Sequence, residues 1–176
     1  MIRNTFKKCK ELLPFKIVGI ALILFISVTI VSPTLRATVL DSLSAIYASA
    51  LVTLANRDRA AQNVSELTVN PLLEKAAQMK ADDMAAKSYF AHNTPEGLTP
   101  WYWMEQAGYK YTFAGENLAV NFNDSEAVET AWKNSPTHWY NIINPRFTEI
   151  GIATSTGIYK GRTAIFVVQM FGSPAR

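Results

Sequence analysis

This 176-residue chain has only two histidines. Each stands in a short polar setting, Phe90-Ala91-His92-Asn93 and Asn134-Ser135-Pro136-Thr137-His138, with Gly115-Glu116-Asn117 between them. Imidazole changes charge near neutral pH and is the commonest metal-binding side chain, so two of them plus a carboxylate are raw material for an acid/base or metal site. Ser135, His138 and Glu116 also have the residue types of a nucleophile, a base and an orienting acid. Their spacing argues against that trio: Ser135 and His138 are three apart across a proline, outside a Gly-x-Ser-x-Gly elbow, and serine before proline usually marks a helix terminus. No HExxH spacing is present, so a metal would have to be held from three separate segments. Until a fold places them, the plain reading is two surface or hydrogen-bonded histidines and a structural glutamate.

Local patterns define the elements that must do the placing. Val39, Leu40, Leu43, Ile46, Tyr47, Ala50, Leu51 and Leu54 recur at helical spacing, predicting a long first helix that ends near Gln62-Asn63. Asn70-Pro71 has the form of an N-cap and first position for a second helix through Lys87, with Leu73, Ala76, Ala77 and Met84 on its buried face. Thr99-Pro100 opens a third, which Gly108 suits as a left-handed cap. Asn123 or Asp124 caps a fourth helix running to about Asn134, where Ser135-Pro136 interrupts it. Glu149–Ser155 and Thr163–Phe171 are β-branched and aromatic and are separated by Gly157 and Lys160-Gly161, predicting an antiparallel hairpin. Leu118–Phe122 reads equally as a strand or a loop.

Charge is divided unevenly. Residues 1–36 carry six Lys/Arg against Glu11, and the rest carries eleven against thirteen Asp/Glu. The basicity therefore belongs to the N-terminal tail, and the remainder offers no footprint for nucleic acid. Ile17–Val31 is uncharged, and extended to Leu12–Ser32 it is long enough to span a bilayer, with Lys16 snorkelling. A cleaved signal peptide is the rival reading, but Val31-Ser32-Pro33 is a poor cleavage context. The expected organisation is thus a basic cytoplasmic tail and single transmembrane anchor over residues 1–36 and an external domain over residues 37–176, secreted if the segment is cleaved. The lone Cys9 precedes the apolar run and forms no internal disulfide.

Six pieces of sequence occur together in one order: Asn56-Arg57-Asp58-Arg59, Phe90-Ala91-His92, Gly115-Glu116-Asn117-Leu118, Trp132 through His138, Phe147-Thr148-Glu149-Ile150-Gly151-Ile152 and Phe166-Val167-Val168-Gln169-Met170-Phe171. In this the chain resembles the CAP superfamily, or SCP domain, and most closely its short bacterial branch without disulfides. The resemblance implies an α+β fold, a three-layer α-β-α sandwich around a small, mostly antiparallel sheet, preceded here by the N-terminal transmembrane helix. It also implies a central cavity lined by histidines and glutamates, onto which His92, Glu116 and His138 map. Ser135 stands where eukaryotic members tend to have a second glutamate.

Two functional readings follow from the resemblance. One is a binding or envelope-interaction module whose cavity takes a lipid, a glycan or a protein. The other is a hydrolase, either metal-assisted or using Ser135. Zinc held by His92, Glu116 and His138 is the cofactor expectation, because a neutral serine hydroxyl is a poor fourth ligand. Asn56, Arg59, Gly115 and Asn117 are expected to support the structure, with Arg59 pairing with a carboxylate such as Glu149.

Overall fold

The computed structural model describes residues 33–122 and 124–175. The span expected over Leu12–Ser32 lies outside them, and among the described residues no helix is long and apolar enough to cross a membrane. The candidate site belongs to the compact unit Asp41–Arg176.

Helix α1 covers Pro33–Ala61. A two-residue strand β1 (Thr68–Val69) leads into α2 (Pro71–Lys87), where the Asn70 side chain accepts a hydrogen bond from the Leu72 amide and Pro71 takes the first helical position. Helix α3 (Pro100–Ala107) starts at Thr99-Pro100 and is stopped by Gly108, whose φ of 87° fits a left-handed cap. Strand β2 (Tyr111–Val120) follows, then α4 (Ser125–Lys133), capped by Asp124 accepting from the Ala127 amide. A separate short helix, α5 (Pro136–Ile142), carries His138. Strands β3 (Glu149–Tyr159) and β4 (Arg162–Pro174) form the hairpin. Lys160 and Gly161 both have positive φ, 50° and 76°, as a two-residue turn between twisted strands requires.

The sheet order is β1-β3-β4-β2, with β1 parallel to β3 and the other pairs antiparallel. Strand periodicity divides the core in two. Phe166, Val168 and Met170 of β4 join Leu73, Ala77, Met84 and Met104 from α2 and α3. Val167 and Phe171 join Leu51, Leu54, Val128, Trp132 and Ile142 from α1, α4 and α5. Alternate residues of a strand face opposite sides, so helices cover both faces of β4, which accounts for its continuous apolar run. Each fully buried phenylalanine here contributes roughly 1.5–3 kcal/mol. Helix α2 lies very close to β3, and a Cβ on Gly151 would fall on the backbone of Leu73 and Glu74.

Three elements differ from the sequence expectation. Strand β2 begins seven residues before Leu118, because Gly115, Glu116 and Asn117 interrupt the β-branched and aromatic pattern that marks a strand. The helix is interrupted at Ser135, whose backbone is extended (φ −107°, ψ 114°), as expected, but a further helix, α5, restarts there with proline at its permitted first position. Strand β1, at two residues, is too short to show any period.

Candidate functional site

Strand β2 is an edge strand, and its pleat separates the functional residues. Glu116 is opposite Met170 and faces the α2–α3 side, whereas Asn117 is opposite Gln169 and faces the other. The amide of Asn117 donates to Gln169 Oε1 (2.9 Å) and to the carbonyl of His138 (3.2 Å), and so ties α5 to the sheet. Asn141 of α5 donates to Asn117 Oδ1 (2.9 Å) and to the Glu116 carbonyl (3.1 Å). The indole of Trp132 donates to the Leu118 carbonyl (3.0 Å). Gly115 lies under Phe147 and Asn141 with no room for a side chain, so the close packing of α5 and the following loop on β2 requires glycine there.

The two histidines engage different partners. His92, in the loop between α2 and α3, places Nδ1 2.6 Å from Glu116 Oε1. Its side chain is 56% exposed, against 2% for Glu116. The bond to Glu116 raises the affinity of His92 for its proton above the ordinary imidazole range. Burial pushes the Glu116 carboxyl up, opposed by the bond to His92 and by the charge of nearby Lys80. Glu116 Oε2 is buried without a hydrogen-bond partner. His138 instead places Nδ1 2.8 Å from Ser135 Oγ. Burial lowers its proton affinity, and the charge of His92 lowers it further.

An open cleft of about 420 Å3 lies against the first pair. His92 and Asn93 come from the loop, Thr99, Pro100 and Trp101 from the start of α3, Ala114, Gly115 and Glu116 from β2, and Asn141 from α5. His138 and Ser135 do not line it. The structure therefore joins Glu116 to His92 and Ser135 to His138; it does not assemble Ser135, His138 and Glu116 as one relay. Both histidines have Nδ1 engaged by a protein partner, which leaves Nε2 as the ring nitrogen for any ligand. Among the described residues, no group of three His, Cys, Asp or Glu side chains that could hold a metal ion occurs. Of the three residues His92, Glu116 and His138, Glu116 is bonded to His92 through Nδ1, whereas His138 is bonded to Ser135.

Arg59 also differs from expectation. It is fully buried and fans its guanidinium onto backbone carbonyls: Ser65 from Nε (2.7 Å), Ile142 and Asn144 from Nη1 (2.8 and 2.9 Å) and Phe147 from Nη2 (3.0 Å). Glu149 instead accepts from the Tyr109 hydroxyl (2.6 Å). Asn56 pairs with Leu67 through both its amide and its carbonyl. Sequence reasoning missed Lys80, Tyr89 and Asn141. Lys80 is fully buried, donating to Tyr89 OH (3.1 Å) and to the His92 carbonyl (2.8 Å). Its position one turn from Ala76, Ala77 and Met84, inside the apolar stripe, was the available signal.

Comparison with known proteins agrees with this construction. The profile of the CAP family, described as the cysteine-rich secretory protein family, matches residues 52–171. The Bacillus subtilis protein YkwD is 40% identical over 106 residues, which is 60% of this chain and 41% of that protein. YlbC, a membrane protein of the same organism, is 25% identical over 109 residues, 62% of this chain and 32% of its own length. The chain thus spans less than half of either curated relative. Among solved structures, an extracellular SCP-domain protein of Bacillus anthracis superposes with a TM-score of 0.67 at 25% identity, over 81% of this chain and 44% of that one.

Proposed function

The chain is a bacterial member of the CAP family, and from that premise we propose that it is a membrane-tethered, extracytoplasmic binding module whose cleft takes a polar, hydroxyl-bearing ligand of the cell envelope. The observation that carries this reading is the cleft wall itself. An exposed imidazole backed by a buried carboxylate (His92 and Glu116), two amides (Asn93 and Asn141) and one indole (Trp101) surround a space of about 420 Å3. Amide, imidazole and carboxylate groups exchange hydrogen bonds with hydroxyls, and an indole face covers the apolar side of a sugar ring. A lipid tail would need a longer apolar groove than this mixed wall provides. The tether is supported by the basic flank and apolar run of residues 1–36 and by the similarity to a protein named for the membrane.

Retention of the full chain on insoluble cell-wall glycan, compared with retention on phospholipid vesicles, tests the ligand class. Retention by glycan that is lost in Asn93→Ala and Trp101→Ala supports the proposal. Vesicle binding indifferent to both substitutions, with no retention by glycan, overturns it. Intact mass of the native protein tests the tether: a mature N-terminus near Ser32–Ala37 makes the domain a secreted one.

A serine-type hydrolase is the second reading, favoured by the 2.8 Å contact between Ser135 and His138 and by the lowered proton affinity of His138, which keeps the ring neutral and able to accept a proton. Among the described residues no carboxylate is hydrogen-bonded to His138, whose ring partner is Ser135. Labelling of Ser135 by a fluorophosphonate would support it.

A further inference from the structure

Three charged residues of α2 lie on one face of that helix at i, i+3 and i+7, and each touches the loop that carries His92. Lys87 Nζ bridges Asp83 (2.8 Å) and Glu96 of the loop (3.1 Å). Asp83 Oδ2 accepts from the loop hydroxyl of Tyr89 (2.8 Å). Lys80 donates to that same hydroxyl (3.1 Å), lies 4.9 Å from the centre of the Tyr89 ring, and donates to the backbone carbonyl of His92 itself (2.8 Å). The loop is therefore pinned at residues 89, 92 and 96 by a row whose charges alternate plus, minus, plus. A fully buried ammonium is costly unless hydrogen-bonded, so its presence in the apolar stripe of α2 calls for a specific role.

We propose that Lys80 is a positioning residue: through the His92 carbonyl and the Tyr89 hydroxyl it fixes the loop so that the His92 ring meets Glu116, and thereby sets which face the cleft presents. The inference rests on the geometry of the pair and holds whichever ligand the cleft takes. The direct electrostatic action of Lys80 on His92 has the opposite sign to the positioning action. Its positive charge disfavours imidazolium, so deleting the charge alone raises the proton affinity of His92. Deleting the tether frees His92 from Glu116, and its affinity falls toward the ordinary imidazole value.

The chain's two imidazoles give a histidine-labelled NMR spectrum with two ring systems, which makes the test direct. In the full chain, the Nδ1 proton of His92 is expected as a far-downfield signal that exchanges slowly. In Lys80→Met that signal should broaden or vanish, and the titration midpoint of His92 should fall by roughly one unit, the low end of what an adjacent carboxylate contributes. Tyr89→Phe keeps the charge and removes one tie, so its midpoint should move the same way by less; it decides the matter if Lys80→Met does not fold. A midpoint that rises or stays in place with the downfield signal intact, in whichever variant folds, overturns the assignment. These readouts need no ligand, so they fail or succeed separately from glycan retention.

Discussion

Glu129 lies on the α4 surface that packs into the protein, 2% exposed, and both of its carboxylate oxygens are buried without hydrogen-bond partners. Asp58 of α1 stands close enough for its charge to act on Glu129, and one of its own oxygens, Oδ2, is likewise unpartnered; the other is 3.0 Å from Lys133. Burial first, and the Asp58 charge second, push the Glu129 carboxyl from its ordinary 4.5 up to about 7. At about 1.36 kcal/mol per pKa unit, the ionised form of Glu129 costs the folded state about 3 kcal/mol. The sign follows from proton counting. Between the unfolded value of 4.5 and the folded value of about 7 the native state holds the extra proton, so stability falls as pH rises through that window and levels off above it.

Glu129→Gln replaces the acid with a neutral group of the same shape, so it should match the wild type near pH 4.5 and exceed it by up to about 3 kcal/mol near pH 8. At roughly 2–4 °C per kcal/mol, the melting temperature should then differ by about 10 °C. Thermal unfolding followed by circular dichroism across pH 4.5–8 measures the difference between the two proteins, which cancels every other titrating group. A difference that is constant with pH, or a variant less stable at pH 8, would refute the reasoning and mean that Glu129 is satisfied and ionised.

Other outcomes follow from the same structure. Glu116→Gln removes the acceptor that holds the His92 proton, so its cost in stability should be present below about pH 6.5 and fade as pH rises through the elevated folded value of His92; unfolding in urea near pH 6 and pH 9 checks this. Arg59→Met removes the buried donor shared by four backbone carbonyls and should cost about 3–5 kcal/mol in the same assay, whereas loss of an exposed arginine costs little. Gly151→Ala forces α2 away from β3 and should destabilise by roughly 1–3 kcal/mol. Calorimetric titration with zinc should show no tight site; strong binding abolished by His92→Ala would mean that Glu116 and His138 rearrange around the ion.

Where the sequence spoke clearly, the signal was local. Asn70-Pro71, Thr99-Pro100 and Gly108 bound helices because they supply or tolerate the unpaired groups of a helix end, and that chemistry is written in adjacent residues. Lys160-Gly161 marked the hairpin because a tight turn between strands needs positive φ, which glycine takes readily. His92 and Glu116 were singled out because both lay in recognised motifs, but their bond across 24 residues was not among the expectations. What stayed hidden depended on tertiary placement. Lys80, Arg59 and Glu129 have charged side chains that ordinarily lie at the surface, and only the loop, carbonyls and acid around them explain their burial. Arg59 was assigned a carboxylate because charge suggests an opposite charge, yet a planar donor fork serves converging backbone carbonyls equally well. The break at Ser135-Pro136 was visible, but the helix beyond it spans seven residues and holds no full amphipathic period.

The carbonyls of Glu116 and Leu118 point away from β4, toward the open edge of the sheet, where a further strand would ordinarily find its acceptors. Asn141 and Trp132 already occupy them. An extended peptide arriving at residues 116–118 meets side-chain donors that it would have to displace, so this stretch of the edge does not offer those two acceptors. Along these residues the edge presents side chains from α4 and α5 in place of free backbone acceptors.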